Sequence, residues 1–249
     1  MTSPRGRVRR CLHASVLALA VVAGLTACEI EPVEPAAEES VEPAEPTATT
    51  PAVPPLPGQA VATARTRLDE LDVRPRPKGT LGYARDAFGS SWRDIDGNGC
   101  NQRDDVLLRD AKPGTTKVQQ QGRCDHDVLA GTWIDPYAGR TLVLTDLKNL
   151  SQAQAVQVDH IVPLAEAWVS GANAWSDDRR EQYANTLSGL LAVDGPTNAS
   201  KGAGDPAAWR PRKAYQCRYA VRWITIKRTW KLAVDPSEAK ALNQMLGYC

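Results

Sequence analysis

The chain reads as α+β, a single mostly helical domain carrying short β-hairpins, and three observations lead there. Apolar residues recur at helical spacing at Val61, Ala64, Leu68 and Leu71. From Gly131 to Leu144, β-branched and aromatic residues flank a turn containing Pro136 and Gly139, the pattern of a hairpin. Two short apolar runs, around Val158–Leu164 and Leu190–Val193, have the length of strands and are separated by helix-like sequence.

The first residues stand outside that fold. Arg5, Arg7, Arg9 and Arg10 precede an apolar stretch from Val16 to Leu25, too short to span a membrane of about 20 helical residues comfortably. Leu25-Thr26-Ala27-Cys28 then resembles a bacterial lipobox, which implies removal of residues 1–27 and lipid attachment at Cys28. An ordinary signal peptide cut elsewhere, or a short membrane helix, is the competing reading. The expected location is extracytoplasmic, lipid-anchored to the outer face of the cell membrane or secreted. Between Glu29 and Pro57 lie eight prolines and seven glutamates with no Lys or Arg. Such a segment buries too little apolar surface to offset its ordering entropy, so residues 28–58 read as a tether. The folded domain is expected over 59–249, long enough for one core.

Formal net charge is +1 for the whole chain. Without the four signal arginines and seven tether glutamates, 26 basic and 22 acidic side chains remain, a net +4. Nine Lys/Arg against the single acid Asp205 fall between Lys201 and Lys231. A polyanion suits that run, and so does a solvated helix face.

Within the domain, residues 60–71 form a packing helix without chemistry. Asp94-Ile95-Asp96-Gly97-Asn98-Gly99 matches the first half of a calcium loop, with Asp94, Asp96 and Asn98 as candidate Ca²⁺ ligands. Its twelfth position is Asp105, where such a loop prefers Glu, so a polar turn into Cys100 is the favoured reading. His126, just before the hairpin, reads as a surface residue. After His160, residues 164–169 and 176–187 suggest short helices, the second capped by Ser176 with Asp177 and Asp178 in its first turn. A proline-bounded connection over 205–212 leads to a helix from Ala214 to Lys231, in which Trp223 and Trp230 read as core. Asp235-Pro236-Ser237-Glu238 is a helix start, with a capping side chain, Pro at the first position and Glu three residues after the cap.

The chemistry centres on Val158-Asp159-His160-Ile161-Val162. A carboxylate and an imidazole within an apolar run each need a partner, because an unpaired buried polar group costs about 1–3 kcal/mol. Alone, the dipeptide is more often structural, its partners each other or a backbone amide, whereas the functional partners would be a divalent cation for Asp159 and a water for His160. Downstream come Asn185-Thr186-Leu187, the run Leu190-Leu191-Ala192-Val193, and Asn198-Ala199-Ser200-Lys201-Gly202. In that order the residues resemble the HNH, or ββα-metal, nuclease superfamily: Asp-His on one strand, an Asn in the loop, a second strand, then Asn-x-x-Lys on a helix. The region from about 132 to 249 is also similar to secreted actinobacterial HNH proteins and to the C-terminal domain of GmrSD-class modification-dependent restriction enzymes.

The resemblance implies an exported endonuclease hydrolysing phosphodiester bonds, DNA in the first instance, with its nuclease core over about 130–215. It makes His160 the general base, with a near-neutral pKa, and Asn185 the brace of the loop facing it. It makes Asp159 and Asn198 ligands of one divalent metal, most simply Mg²⁺, and brings Lys201 to phosphate. Arg218 and Arg222, four apart on the later helix, join as substrate contacts. The intervening loop is longer than in a compact HNH unit, which bears most on Asn185. The alternative is a non-catalytic, surface-tethered nucleic-acid-binding lipoprotein. Membrane attachment through lipid alone, no protein partner and a monomer complete the expectation.

Six cysteines are present. With Cys11 in the signal segment and Cys28 lipidated, four remain, and locality favours Cys100 with Cys124 and Cys217 with Cys249. No Cys-x-x-Cys spacing supports zinc among them. A zinc peptidase lacks its His-Glu-x-x-His, and a serine hydrolase its Gly-x-Ser-x-Gly.

Overall fold

A computed structural model describes residues 52–249. The signal segment, Cys28 and nearly all of the tether lie outside the described residues. The protein is a mixed α+β structure with two small antiparallel sheets and, among the described residues, eight α-helices.

Helix α1 (Gly58–Asp69) buries Ala64 and Leu68, one turn apart, as the helical spacing requires. A 3-10 turn (Arg85–Phe88) follows, then α2 (Gln102–Asp110), whose Asn101 side chain accepts from the amides of Arg103 and Asp104. Strands β1 (Lys117–Gln121), β2 (Cys124–Ile134) and β3 (Thr141–Leu144) form the first sheet in that order. The expected hairpin is its β2–β3 half, paired from Gly131 opposite Leu144 to Ile134 opposite Thr141. Asp135 fixes the turn between them: its fully buried carboxylate accepts from the amides of Tyr137 at 3.2 Å and Ala138 at 2.6 Å.

The second sheet has two strands. Helix α3 (Leu150–Ala155) runs directly into β4 (Val156–His160), and β5 (Leu190–Asp194) pairs with it antiparallel, Asp159 opposite Leu191 and His160 opposite Leu190. Between the two come α4 (Leu164–Val169) and α5 (Asp177–Asn185), the latter capped by Ser176. Helix α6 (Gly195–Lys201) leaves the end of β5, capped by Asp194. Gly195 is required there: a Cβ would come within 2.2 Å of the Gln154 carbonyl oxygen.

The uninterrupted apolar run of β5 has a packing cause. Leu191 and Val193 enter one hydrophobic cluster, with α1, α4, α5 and the two last helices. Leu190 and Ala192 enter another, with α2, β2 and β4. Alternate side chains thus serve opposite cores, and each burial contributes about 1.5–3 kcal/mol for the larger aliphatic side chains.

Helix α7 (Lys213–Trp230) places Trp223 fully in the first core, with Trp230 packed partly against it. Helix α8 (Pro236–Leu246) begins with the expected reciprocal cap between Asp235 and Glu238. Cys100 is bonded to Cys124 and Cys217 to Cys249, as locality suggested.

Two expectations change, and the favoured reading of the Asp94–Gly99 loop holds. The calcium-loop oxygens are occupied by their own backbone: Asp94 accepts from the amides of Gly97 and Gly99, and Asn98 from that of Cys100. Asp96 accepts from the Asn98 amide, and Asp105 turns to Asn98 and His126, so the loop is a polar turn rather than a calcium cradle. His126 is not a free surface residue but bridges Asp105 at 2.7 Å and Asp125 at 2.5 Å. Burial opposes its protonation, but the two carboxylates outweigh burial and raise its pKa. Finally, the basic run from Lys201 to Lys231 is not one face, because Lys201 and Lys227 are buried.

Candidate active site

Asp159 and His160 end β4 side by side and find different partners, as alternation along a strand favours. Asp159 is 6% exposed. One carboxylate oxygen accepts from the Tyr137 hydroxyl at 2.6 Å and the other from the Lys201 ammonium at 2.8 Å. The His160 ring is half-buried, and its Nε2 lies 2.7 Å from the Ala184 carbonyl oxygen. A carbonyl only accepts, so Nε2 carries the proton and Nδ1 keeps its lone pair.

Trp92 stacks on the imidazole, centroids 5.8 Å apart with 14° between the planes. The pKa of His160 is not near-neutral as the resemblance implied: burial drives it to about 4 against the pull of the Ala184 carbonyl and Asp159. Arg85 and Lys201 add like-charge repulsion. The ring is therefore uncharged at neutral pH.

Asn185 closes this arrangement from behind. Fully buried, it accepts from the Arg93 amide at 2.9 Å and donates to the carbonyls of Glu181 and Ser90. That fastens the end of α5, and with it the neighbouring Ala184 carbonyl, to the segment running through Trp92. Asn185 is thus a buried tie between α5 and the segment from Ser90 to Arg93.

Asp159, His160 and Asn198 line one cavity of about 300 Å³. The Asn198 amide nitrogen donates to Gln157 at 2.9 Å. Its oxygen is left as an acceptor, and each Asp159 oxygen retains a second acceptor site beyond the bond it already makes. These are all-oxygen donors, which fits a hard divalent cation, and such an ion binds through few protein oxygens with water and phosphate completing its shell. A second clustering of ligand-type atoms, Cys100, Cys124 and His126, does not fit a metal, because its two sulfurs are bonded to each other.

Lys201 is not turned toward a substrate. It is 2% exposed, and its ammonium is held by Asp159 and by the His160 carbonyl at 2.9 Å. Burial lowers its pKa, against the attraction of Asp159. Arg218 and Arg222 are brought together on α7 but not into this cavity. Arg218 donates to the Pro54 carbonyl, and Arg222 to those of Ser188 and Leu190.

Sequence reasoning missed Tyr137, Trp92 and Arg85. A large aromatic inside a tight turn was a usable signal for Tyr137. The segment holding Arg85 and Trp92 carried none, since its contacts with β4 are made across about seventy residues of chain.

A family model for the C-terminal domain of GmrSD restriction endonucleases matches residues 101–245, which include Asp159, His160, Asn185, Asn198 and Lys201. An uncharacterized secreted protein of Arthroderma benhamiae is 38% identical over 193 residues, covering 76% of this chain and 86% of the relative. No solved structure matches the chain. The secreted relative and the two disulfides both fit an extracellular location. With more than half of its length matched, the chain belongs to the family of the C-terminal domain of GmrSD restriction endonucleases.

Proposed function

We propose that the protein is an exported, metal-dependent HNH endonuclease that hydrolyses phosphodiester bonds of nucleic acid, with DNA as the first candidate substrate. The observation that carries this reading is the state of His160. Its Nε2 proton is committed to the Ala184 carbonyl, and its Nδ1 lone pair belongs to a ring that lines the same cavity as Asp159 and Asn198. A neutral, oriented imidazole is the form a general base must have.

In that role Nδ1 takes a proton from the attacking water. Asn185 keeps the base aimed by fixing the loop that presents the Ala184 carbonyl, and Trp92 restricts the ring from its face. Tyr137 and Lys201 hold the Asp159 carboxylate in one orientation. Asp159 and Asn198 would hold the divalent ion, most simply Mg²⁺, which when bound would polarise the phosphate and stabilise charge on the leaving oxygen. The two strands β4 and β5 followed by α6 are read as the ββα-metal core on the same grounds.

One observation favours a second reading. The Lys201 ammonium already neutralises Asp159, an arrangement that also suits a protein that binds nucleic acid without turning it over. Nicking of supercoiled plasmid, with and without chelator, separates the two. The expected result is chelator-sensitive cleavage that falls by about 10²–10⁴ in His160→Ala while the circular dichroism spectrum is kept. Full activity in a folded His160→Ala protein would remove His160 from the mechanism, and no cleavage by wild type under any divalent ion would leave the binding reading.

A further inference from the structure

Arg85 lines two cavities at once. One is the 300 Å³ cavity of Asp159, His160 and Asn198, and the other is a smaller one of about 50 Å³ against His160, Trp92 and Asn185. It opens the 3-10 turn Arg85–Phe88, and the backbone there is firmly held. Phe88 is buried among Tyr83, Trp168 and Tyr183, with centroids 6.0–6.3 Å away. The Ala87 carbonyl accepts from Arg180 at 2.8 Å, and Ser90 and Arg93 are tied to Asn185. Gly89 turns the chain at φ +73°, where a Cβ would collide with the Glu181 side chain at 2.7 Å.

On this fixed backbone the guanidinium itself is uncommitted to any acid. The nearest arginines along the chain have theirs: Arg74 pairs with Asp72, Arg76 with Glu166 and Arg93 with Glu181. Arg85 is exposed, interacts with the Tyr83 phenol, and makes no ion pair with a carboxylate among the described residues. It is also the one cationic side chain lining the larger cavity among those residues, since Lys201 lies behind Asp159.

A planar fork of five donors with no anion, beside an oriented base and two oxygen ligands, matches the two non-bridging oxygens of a backbone phosphodiester, which share one negative charge. We propose that Arg85, from a segment preceding the family-matched residues 101–245, binds the substrate phosphate at this site, the task that the resemblance assigned to Lys201. The assignment rests on the nuclease reading and names the residue that meets the polyanion in it.

The test uses the full chain without its signal segment and a fluorescent oligonucleotide. Binding is measured in a His160→Ala background so that nothing is cleaved, and kcat/KM in the otherwise native protein. Arg85→Ala is expected to weaken binding about 10- to 100-fold, the worth of a hydrogen-bonded charge, and to reduce the salt slope by about one. Arg85→Lys should recover the salt slope while recovering only part of kcat/KM, because the charge is kept and the fork is lost. Arg123→Ala, at an 81% exposed side chain beyond the site, should change neither. If wild type cleaves and Arg85→Ala binds and cleaves as well as it does, the Arg85 assignment is overturned alone. If wild type neither binds nor cleaves, the nuclease reading falls and the assignment with it.

Discussion

Lys201 and Lys227 are both buried ammonium groups facing carboxylates, yet they are completed differently. Lys227, fully buried in the larger core, meets Glu166 at 2.7 Å, the Ser170 hydroxyl at 2.7 Å, the Ala233 carbonyl at 2.9 Å and Glu238 at 3.0 Å. The far side of Glu166 meets Arg76 at 2.8 Å. Three protons are thus shared over four acceptors, so the ammonium has none left for a ligand, even though Glu166 and Ser170 border a cavity of about 190 Å³ of their own. Lys201 has two acceptors, Asp159 and the His160 carbonyl, and its carboxylate partner lines an open cavity. Burial of a charge pair is therefore a poor sign of function by itself. Incomplete saturation beside a cavity is the better sign, because a pair so placed can exchange partners.

Mutations at the two lysines should separate the regions, with the largest effect in the core. Lys227→Met strands Glu166 and Glu238 without their cation. Breaking a buried pair from one side costs about 3–5 kcal/mol, a large part of an ordinary domain stability of about 5–15 kcal/mol. The urea midpoint should fall steeply, and a midpoint near wild type would mean that the core network is dispensable. Lys201→Met should cost less, about 1–3 kcal/mol, because it strands one carboxylate instead of two, and Asp159 keeps the Tyr137 hydroxyl. The same change removes a competitor for the carboxylate, so Mg²⁺ should raise the melting temperature more in Lys201→Met than in wild type. Equal destabilisation by the two substitutions, with no added response to Mg²⁺, would erase the distinction drawn between them.

The smallest effect is on the pH dependence of stability, where the two regions should pull in opposite directions. Burial, only partly offset by Lys227, holds Glu238 up at about 7 against an ordinary 4.5. The folded protein therefore keeps an extra proton over that interval, and stability falls as pH rises from about 4.5 through about 7. His160 is displaced the other way, to about 4 from 6.5, so the unfolded chain is protonated first and stability falls as pH drops from 6.5 through about 4. A shallow optimum between the limbs is expected. Urea midpoints across pH 4–8 should lose the alkaline limb in Glu238→Gln and the acid limb in His160→Gln. Curves unchanged by either substitution would refute both displacements.

What could be read from the sequence was local or periodic. The reciprocal cap of α8, the apolar run Leu190–Val193 of β5 and the two disulfide pairs each lie within a few dozen residues, and their residue types have narrow uses. Asp159, His160 and Asn198 came to line one cavity because β4, β5 and α6 are joined in that order and pack together, while Asn185, at the end of α5, lines the smaller cavity against His160. Strand β1 was missed because Lys117-Val118-Gln119-Gln120-Gln121 is exposed throughout and shows no alternation. The role given to Lys201 failed for a geometric reason. Three residues after Asn198 on a short helix is the same face, and that face packs on β4, so the ammonium points into the fold. Arg85 and Trp92 reach His160 through tertiary packing alone, which no spacing rule records.

The order of the disulfides carries one further consequence. The two bridges are consecutive along the chain, with Cys100 and Cys124 separated by 24 residues and both lying ahead of Cys217 and Cys249, separated by 32. A chain threaded from its N-terminus into an oxidising compartment presents the first thiol pair while the second is still withheld. Correct connectivity is then favoured by the schedule of emergence, with little call on an isomerase. The same protein refolded from a fully reduced state would face the four thiols of these bridges together, which alone allow three pairings.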